Sequence, residues 1–101
     1  MNNLAWLQSW YADQCEGDWE HSCGVSVSTL DNPGWTLEIN LAGTRLANLE
    51  FNSFEREGEE DWLACKIDGE IFKAAGGAQN LDEMIGVFRT WAMNVEKKEM
   101  S

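Results

Sequence analysis

At Gly24 the hydrophobic period of this chain changes from that of a helix to two, and at Asn80 it changes back. Side chains recur on one helix face roughly every 3.6 residues, and on one sheet face every two. The middle of the chain is therefore expected to be a sheet with a helix at each end. That order is an α+β pattern.

The first segment, residues 4–12, places Leu4, Leu7 and Tyr11 on one stripe and Trp6 and Trp10 on the next, as an amphipathic helix does. Asn2 or Asn3 can cap it, because a short side-chain oxygen accepts from a first-turn N–H that has no helical partner. The helix is expected to stop between Asp13 and Gly17. Val25, Val27 and Thr29 then alternate with Ser26, Ser28 and Leu30, and Trp35, Leu37, Ile39 and Leu41 alternate with Thr36, Glu38 and Asn40. Asp31-Asn32-Pro33-Gly34 between the two runs reads as a hairpin turn, with Pro presetting one φ and Gly34 accepting the positive φ that follows. Leu46, Leu49, Phe51 and Phe54 match neither period cleanly and suggest a strand near residues 49–56. Residues 62–67 and 71–74 flank Asp68-Gly69-Glu70, a second hairpin signal. Gly76-Gly77 reads as a strand-to-helix turn. Asn80 and Glu83 then have capping-box spacing. Leu81, Met84, Ile85, Phe88, Trp91, Ala92 and Val95 follow on one helical face, with Asp82 and Glu83 at its start and Lys97-Lys98 at its end. The expected fold is an antiparallel meander of about five strands flanked by an N-terminal and a C-terminal helix.

A chain of 101 residues is sized for one domain, 1–101, around one core, and six Trp and four Phe supply large pieces of it. Trp6, Trp10, Trp35, Trp62 and Trp91 are expected to face inward. Trp19, between Asp18 and Glu20, is expected to be exposed. Acids outnumber bases by 18 to 7, a net charge of −11 carried evenly by the two halves. Such a charge repels phosphates and anionic lipids, which argues against nucleic-acid and membrane partners and for a basic one. Solubility of a small domain needs a net charge of only ~2–8, so the excess points to selection for that partner. Met1-Asn2-Asn3-Leu4-Ala5-Trp6, with no Lys or Arg and no long apolar run, does not read as a secretory signal, and no stretch approaches the length of apolar residues needed to span a bilayer. Three cysteines at irregular spacing suit reduced thiols, and the chain reads as cytoplasmic.

Catalytic and metal signatures are weak. Cys15, His21, Cys23 and Cys65 have the residue types of a zinc site, but Cys-x5-His-x-Cys does not close two ligands over a tight loop. His21 is the one histidine, and neither Ser22, Ser53 nor Cys65 lies in a nucleophile signature. Gly76-Gly77 before a helix lacks both the Gly-x-Gly-x-x-Gly and the Gly-Lys-Ser/Thr of phosphate loops, and Asp82 and Glu83 would repel phosphate. No Asp-x-Asp-x-Asp-Gly calcium loop is present. The expectation is a protein that is not an enzyme and has no cofactor, with no catalytic and no metal residues. The charged candidates are two acidic stretches: Asp18 and Glu20 around Trp19, and Glu57, Glu59, Glu60 and Asp61.

Several short pieces stand in a particular order along the chain. They are Trp-Leu-Gln-Ser-Trp-Tyr at 6–11, Cys-Glu-Gly-Asp-Trp-Glu-His at 15–21, Leu-Asp-Asn-Pro-Gly-Trp at 30–35, Asp61-Trp62, and Gly76-Gly77 with Asn80-Leu81 and Phe-Arg-Thr-Trp at 88–91. The ordered set resembles the bacterial immunity protein family numbered fifty-three, single-domain antidotes encoded beside polymorphic toxins, from about Leu4 to Trp91. Position 23 carries Cys where the family pattern has an aromatic, so the resemblance assigns Cys23 no role. It implies a protein that binds and neutralises a cognate toxin domain by covering its active or an adjacent surface, with no catalytic residues to carry over. A nuclease toxin would supply the basic surface that the charge calls for. Asp18, Trp19, Glu20, Glu57, Glu59, Glu60 and Asp61 are the expected contacts. The alternatives are an acidic adaptor domain with no toxin, or a small Cys/His metal-binding protein.

Overall fold

The structure, a computed structural model, describes residues 2–100 apart from the side chains of Glu96, Lys98, Glu99 and Met100. Its elements are α1 (Asn3–Gln14), α2 (Trp19–Ser22), β1 (Val25–Leu30), β2 (Gly34–Asn40), β3 (Phe54–Arg56), β4 (Leu63–Asp68), β5 (Ile71–Gly76) and α3 (Leu81–Met100). All strand pairs are antiparallel and the five strands lie in the order β1-β2-β5-β4-β3. After β2 the chain crosses to the far edge, and β3, β4 and β5 return as a meander to pair with β2. The expected α+β class, five-stranded sheet and terminal helices are all present.

Alternation decides the two faces. Leu37, Ile39, Leu63, Cys65, Phe72 and Ala74 all point to one side, where they are buried beneath the helices. On that side α3 brings down Met84, Ile85, Phe88 and Ala92, all buried, as its period requires. Phe88 is fully buried among Trp6, Trp10, Phe72 and Trp91, with ring centroids 5.1–6.1 Å away. The helix runs to Met100, past the residues whose period announced it. The Lys98 side chain expected to complement its end lies outside the described residues.

The N-terminal helix is capped as expected, the Asn2 side chain accepting from the Ala5 N–H at 2.8 Å. Its orientation is the one expected of Trp6 and Trp10, which face inward, and it settles which of the two apolar stripes meets the core. Leu7 and Trp10 are buried, whereas Leu4 and Tyr11 stay 60% and 39% exposed. Trp6 and Trp10 pack on Phe88, and Asn3 donates to the Asp82 carbonyl and accepts from Arg89. These contacts to α3 rotate the Leu4 and Tyr11 stripe away from the core.

Turn chemistry explains the hairpins, one of them for an unexpected reason. Gly69 has φ +64 at the first position of the two-residue β4–β5 turn, which suits a II′ turn. Gly34 does not have positive φ, contrary to expectation, and it opens β2. Glycine is needed there for space: a β-carbon would collide with the Gly76 carbonyl oxygen and lie 3.4 Å from Trp62 Cζ2. Trp62 is thus half-buried beside Gly34 and outside the core, not inward-facing as expected. The strand anticipated over 49–56 shrinks to Phe54–Arg56. Phe51 precedes it as irregular chain and packs its ring on Phe72 and Trp91 at 5.3 and 5.4 Å.

Candidate functional site

The second acidic stretch forms the loop between β3 and β4. Arg56, the last residue of β3, reaches Glu83 in the first turn of α3 with both terminal nitrogens, at 2.7 and 2.6 Å, and Asp61 at 2.6 Å. Asn80 donates its amide to the same two carboxylates, at 2.8 Å to Asp61 and 3.1 Å to Glu83. The expected capping box is therefore not formed. The Asn80 Nδ2 turns to the carboxylates, and its buried Oδ1 has no hydrogen-bond partner among the described residues. The hydrogen bonds from Asn80 and then Arg56 hold the Asp61 carboxyl below the usual carboxylate range. Those from Arg56, with help from Asn80, do the same for Glu83. The Arg56 guanidinium is held more firmly charged by both acids. A backbone bond from the Gly77 N–H to the Trp62 carbonyl, 3.1 Å, pins the end of the loop to the turn before α3.

This network divides the stretch by role. Asp61 is committed to holding the loop, whereas Glu57, Glu59 and Glu60 project from it and are exposed, without an ion pair among the described residues. Asp61, expected as a contact with the other three, is still exposed but is tied to Arg56 and Asn80. Arg56 and Asn80 were not foreseen. Their signal was present, since Arg56 is the one cation between Glu50 and Asp61.

The first stretch is folded more tightly than a loop. Trp19 begins a four-residue helix that turns its ring inward between Trp10 and Tyr11, with centroids 6.0 and 5.8 Å away. It is 5% exposed, so the expected exposed anchor is a core residue, and its Nε1 has no partner among the described residues. The Glu20 carboxylate accepts from the N–H groups of Glu16 and Gly17 at 2.9 and 2.8 Å. Its own N–H and those two hold its carboxyl below the usual range. Asp18 remains exposed.

The two stretches are not neighbours. The Glu16–Glu20 corner precedes Val25, which pairs with Ile39 at one end of the sheet. The Glu57–Asp61 loop precedes Leu63, which pairs with Gly76 at the other end and near the other edge. With strands about 4.8 Å apart, the corners lie diagonally across a five-strand sheet. The structure does not bring them into one patch.

Nor does it assemble the Cys/His set. Cys65 is buried on β4, where desolvation pushes its thiol up to about 11. Cys15 is exposed at the end of α1 and His21 is exposed on α2. Among the described residues no group of three or more His, Cys, Asp or Glu side chains is placed to hold a metal ion. No helix among them is long and apolar enough to cross a membrane.

What the fold and surface define is a small acidic α+β domain with carboxylates at two opposite corners and exposed apolar side chains, Leu4, Tyr11 and Val27, along the β1 edge. The chain belongs to the Immunity protein 53 family, whose model matches residues 4–93. No curated protein and no solved structure was found to be similar to it.

Proposed function

We propose that this chain is the antidote of a toxin–immunity pair. It binds a cognate bacterial toxin domain in the cytoplasm and neutralises it by covering its active site or a surface beside it. Membership of the immunity family over residues 4–93 carries this reading. The net charge of −11 supports a basic target, and nucleases carry such surfaces because they hold phosphates. In this reading the protein acts by contact, with no cofactor and no chemistry of its own.

Charge then steers the encounter, and Asp18, Glu57, Glu59 and Glu60 are the groups exposed to do so. Trp19, Glu20 and Asp61 contribute by holding those carboxylates in place. The test is co-expression with the toxin encoded beside the chain's own gene, scored by cell survival. Survival that depends on the chain is the expected result. Growth arrest unchanged by the chain, with both proteins soluble, overturns the reading in favour of an acidic adaptor domain.

A further inference from the structure

The two outer strands of the sheet differ in kind. β3 has three residues, two of them charged, and Arg56 is drawn into the network with α3. Short length and charge are how sheets protect an edge from pairing with another chain. β1 has six residues, Val-Ser-Val-Ser-Thr-Leu, with no charge and no proline. Among the described residues no strand pairs with its outer side.

The ladder fixes which backbone groups that side presents. Asn40 donates to the Gly24 carbonyl, so Gly24 and Asn40 form a hydrogen-bonded pair. Such pairs alternate along an antiparallel ladder, so Ser26, Ser28 and Leu30 bond to β2. Val25, Val27 and Thr29 then direct their N–H and C=O groups outward. Alongside runs a groove of ≈660 Å³ between β1 and α1, whose apolar wall is Leu4, Leu7, Tyr11, Val25 and Val27. Leu4, Tyr11 and Val27 are among the most exposed large apolar residues described, at 60%, 39% and 45%. The rotation of α1 toward α3 is what leaves them there.

The geometry points to strand addition: an extended segment of the toxin domain pairs with β1 and sets alternate side chains into the groove. This inference rests on the toxin-binding reading and names the surface. Main-chain bonds to Val25, Val27 and Thr29 supply affinity, and the groove selects apolar residues at every second position. The carboxylates on the groove are Glu20 and Glu38, the latter 3.8 Å from the Lys73 ammonium; no lysine or arginine lines it among the described residues, and Asp31 lies just beyond the strand. The segment that fits therefore carries Lys or Arg next to its apolar residues. A second copy of this chain fits poorly, since each copy bears −11 and would set carboxylates against carboxylates.

The experiment uses the purified domain of the toxin encoded beside the chain. Amide hydrogen exchange is followed in the full chain, free and bound, and Kd is measured for Val27→Lys and for Phe54→Lys on the opposite edge. Binding should protect the amides of Val25, Val27 and Thr29. Val27→Lys should weaken Kd about tenfold or more by setting a cation against a basic, partly apolar strand, while Phe54→Lys stays within about twofold. Tight binding with no new protection along β1 and an unchanged Kd for Val27→Lys overturns strand addition and leaves the toxin-binding reading standing. No binding by the wild-type chain overturns both. A dimer of the free chain that Val27→Lys dissociates overturns the inference in favour of self-pairing.

Discussion

The β3 and β1 edges of one sheet solve the same problem in opposite ways. At β3 the unpaired backbone is three residues long, two of the three are the charged Glu55 and Arg56, and Arg56 is cross-linked to Asp61 and Glu83. At β1 it is six residues long, uncharged and flanked by exposed Leu4 and Tyr11. An unprotected edge is a hazard in isolation, because any extended chain can pair with it. The comparison teaches that edge protection is available to this fold and is applied selectively. A bare edge makes sense where a partner is meant to occupy it.

Both edges hang on one core, and breaking that core should erase the difference. Phe88→Ala should cost about 3–5 kcal/mol and lower the melting temperature sharply, since its ring touches α1, β5 and α3 at once. An unchanged melting temperature would show that α3 is peripheral. Gly34→Ala should cost about 1–3 kcal/mol by overpacking, because its β-carbon has to displace the Gly76 carbonyl or Trp62. Denaturant titration checks this, with Asn32→Ala as a neutral control.

Arg56→Gln sharpens the comparison at the protected edge and should have a smaller effect. Folding holds Asp61 and Glu83 below their ordinary values of 3.8 and 4.5. Their stabilisation is thus fully present above those values and is lost as pH falls through the lower folded ones. The variant should therefore show a flatter loss of stability below about pH 4.5 and faster amide exchange in residues 57–61. An acid limb identical to wild type would mean the network adds nothing. Smallest of all, Val27→Lys should change stability by no more than about 0.5 kcal/mol, because the side chain is already 45% exposed. A large loss would show that β1 is part of the folding core and not a free edge.

Much of this architecture was legible in the residues. The α3 face from Leu81 to Val95, the alternation of β2, and the Asp68-Gly69 turn each carry a period or a turn rule strong enough to read directly. What was missed depends on contacts distant in sequence. In α1, Leu4, Trp6, Leu7, Trp10 and Tyr11 make two adjoining apolar stripes, so periodicity cannot say which one meets α3. Trp19 sits between two acids, and one turn of helix suffices to bury it. The role of Asp61 depends on Arg56 and Asn80, and Gly34 needs its small size because the Gly76 carbonyl and Trp62, both distant in sequence, crowd it. The bare edge of β1 follows from strand order, which no local pattern encodes.

The central claim is that a basic toxin domain is attracted by exposed carboxylates at two opposite corners of the molecule and retained along the bare edge of β1. Stopped-flow kinetics on the cognate pair, at about 0.05 M and 0.3 M salt, test it directly. Reversal of Glu59 and Glu60 to Lys should slow association at low salt, with a much smaller effect at high salt and little change in dissociation. Val27→Lys should instead speed dissociation at both. Association and dissociation unaltered in both variants would contradict the account, leaving the acidity as a solvated surface and the edge as an unoccupied one.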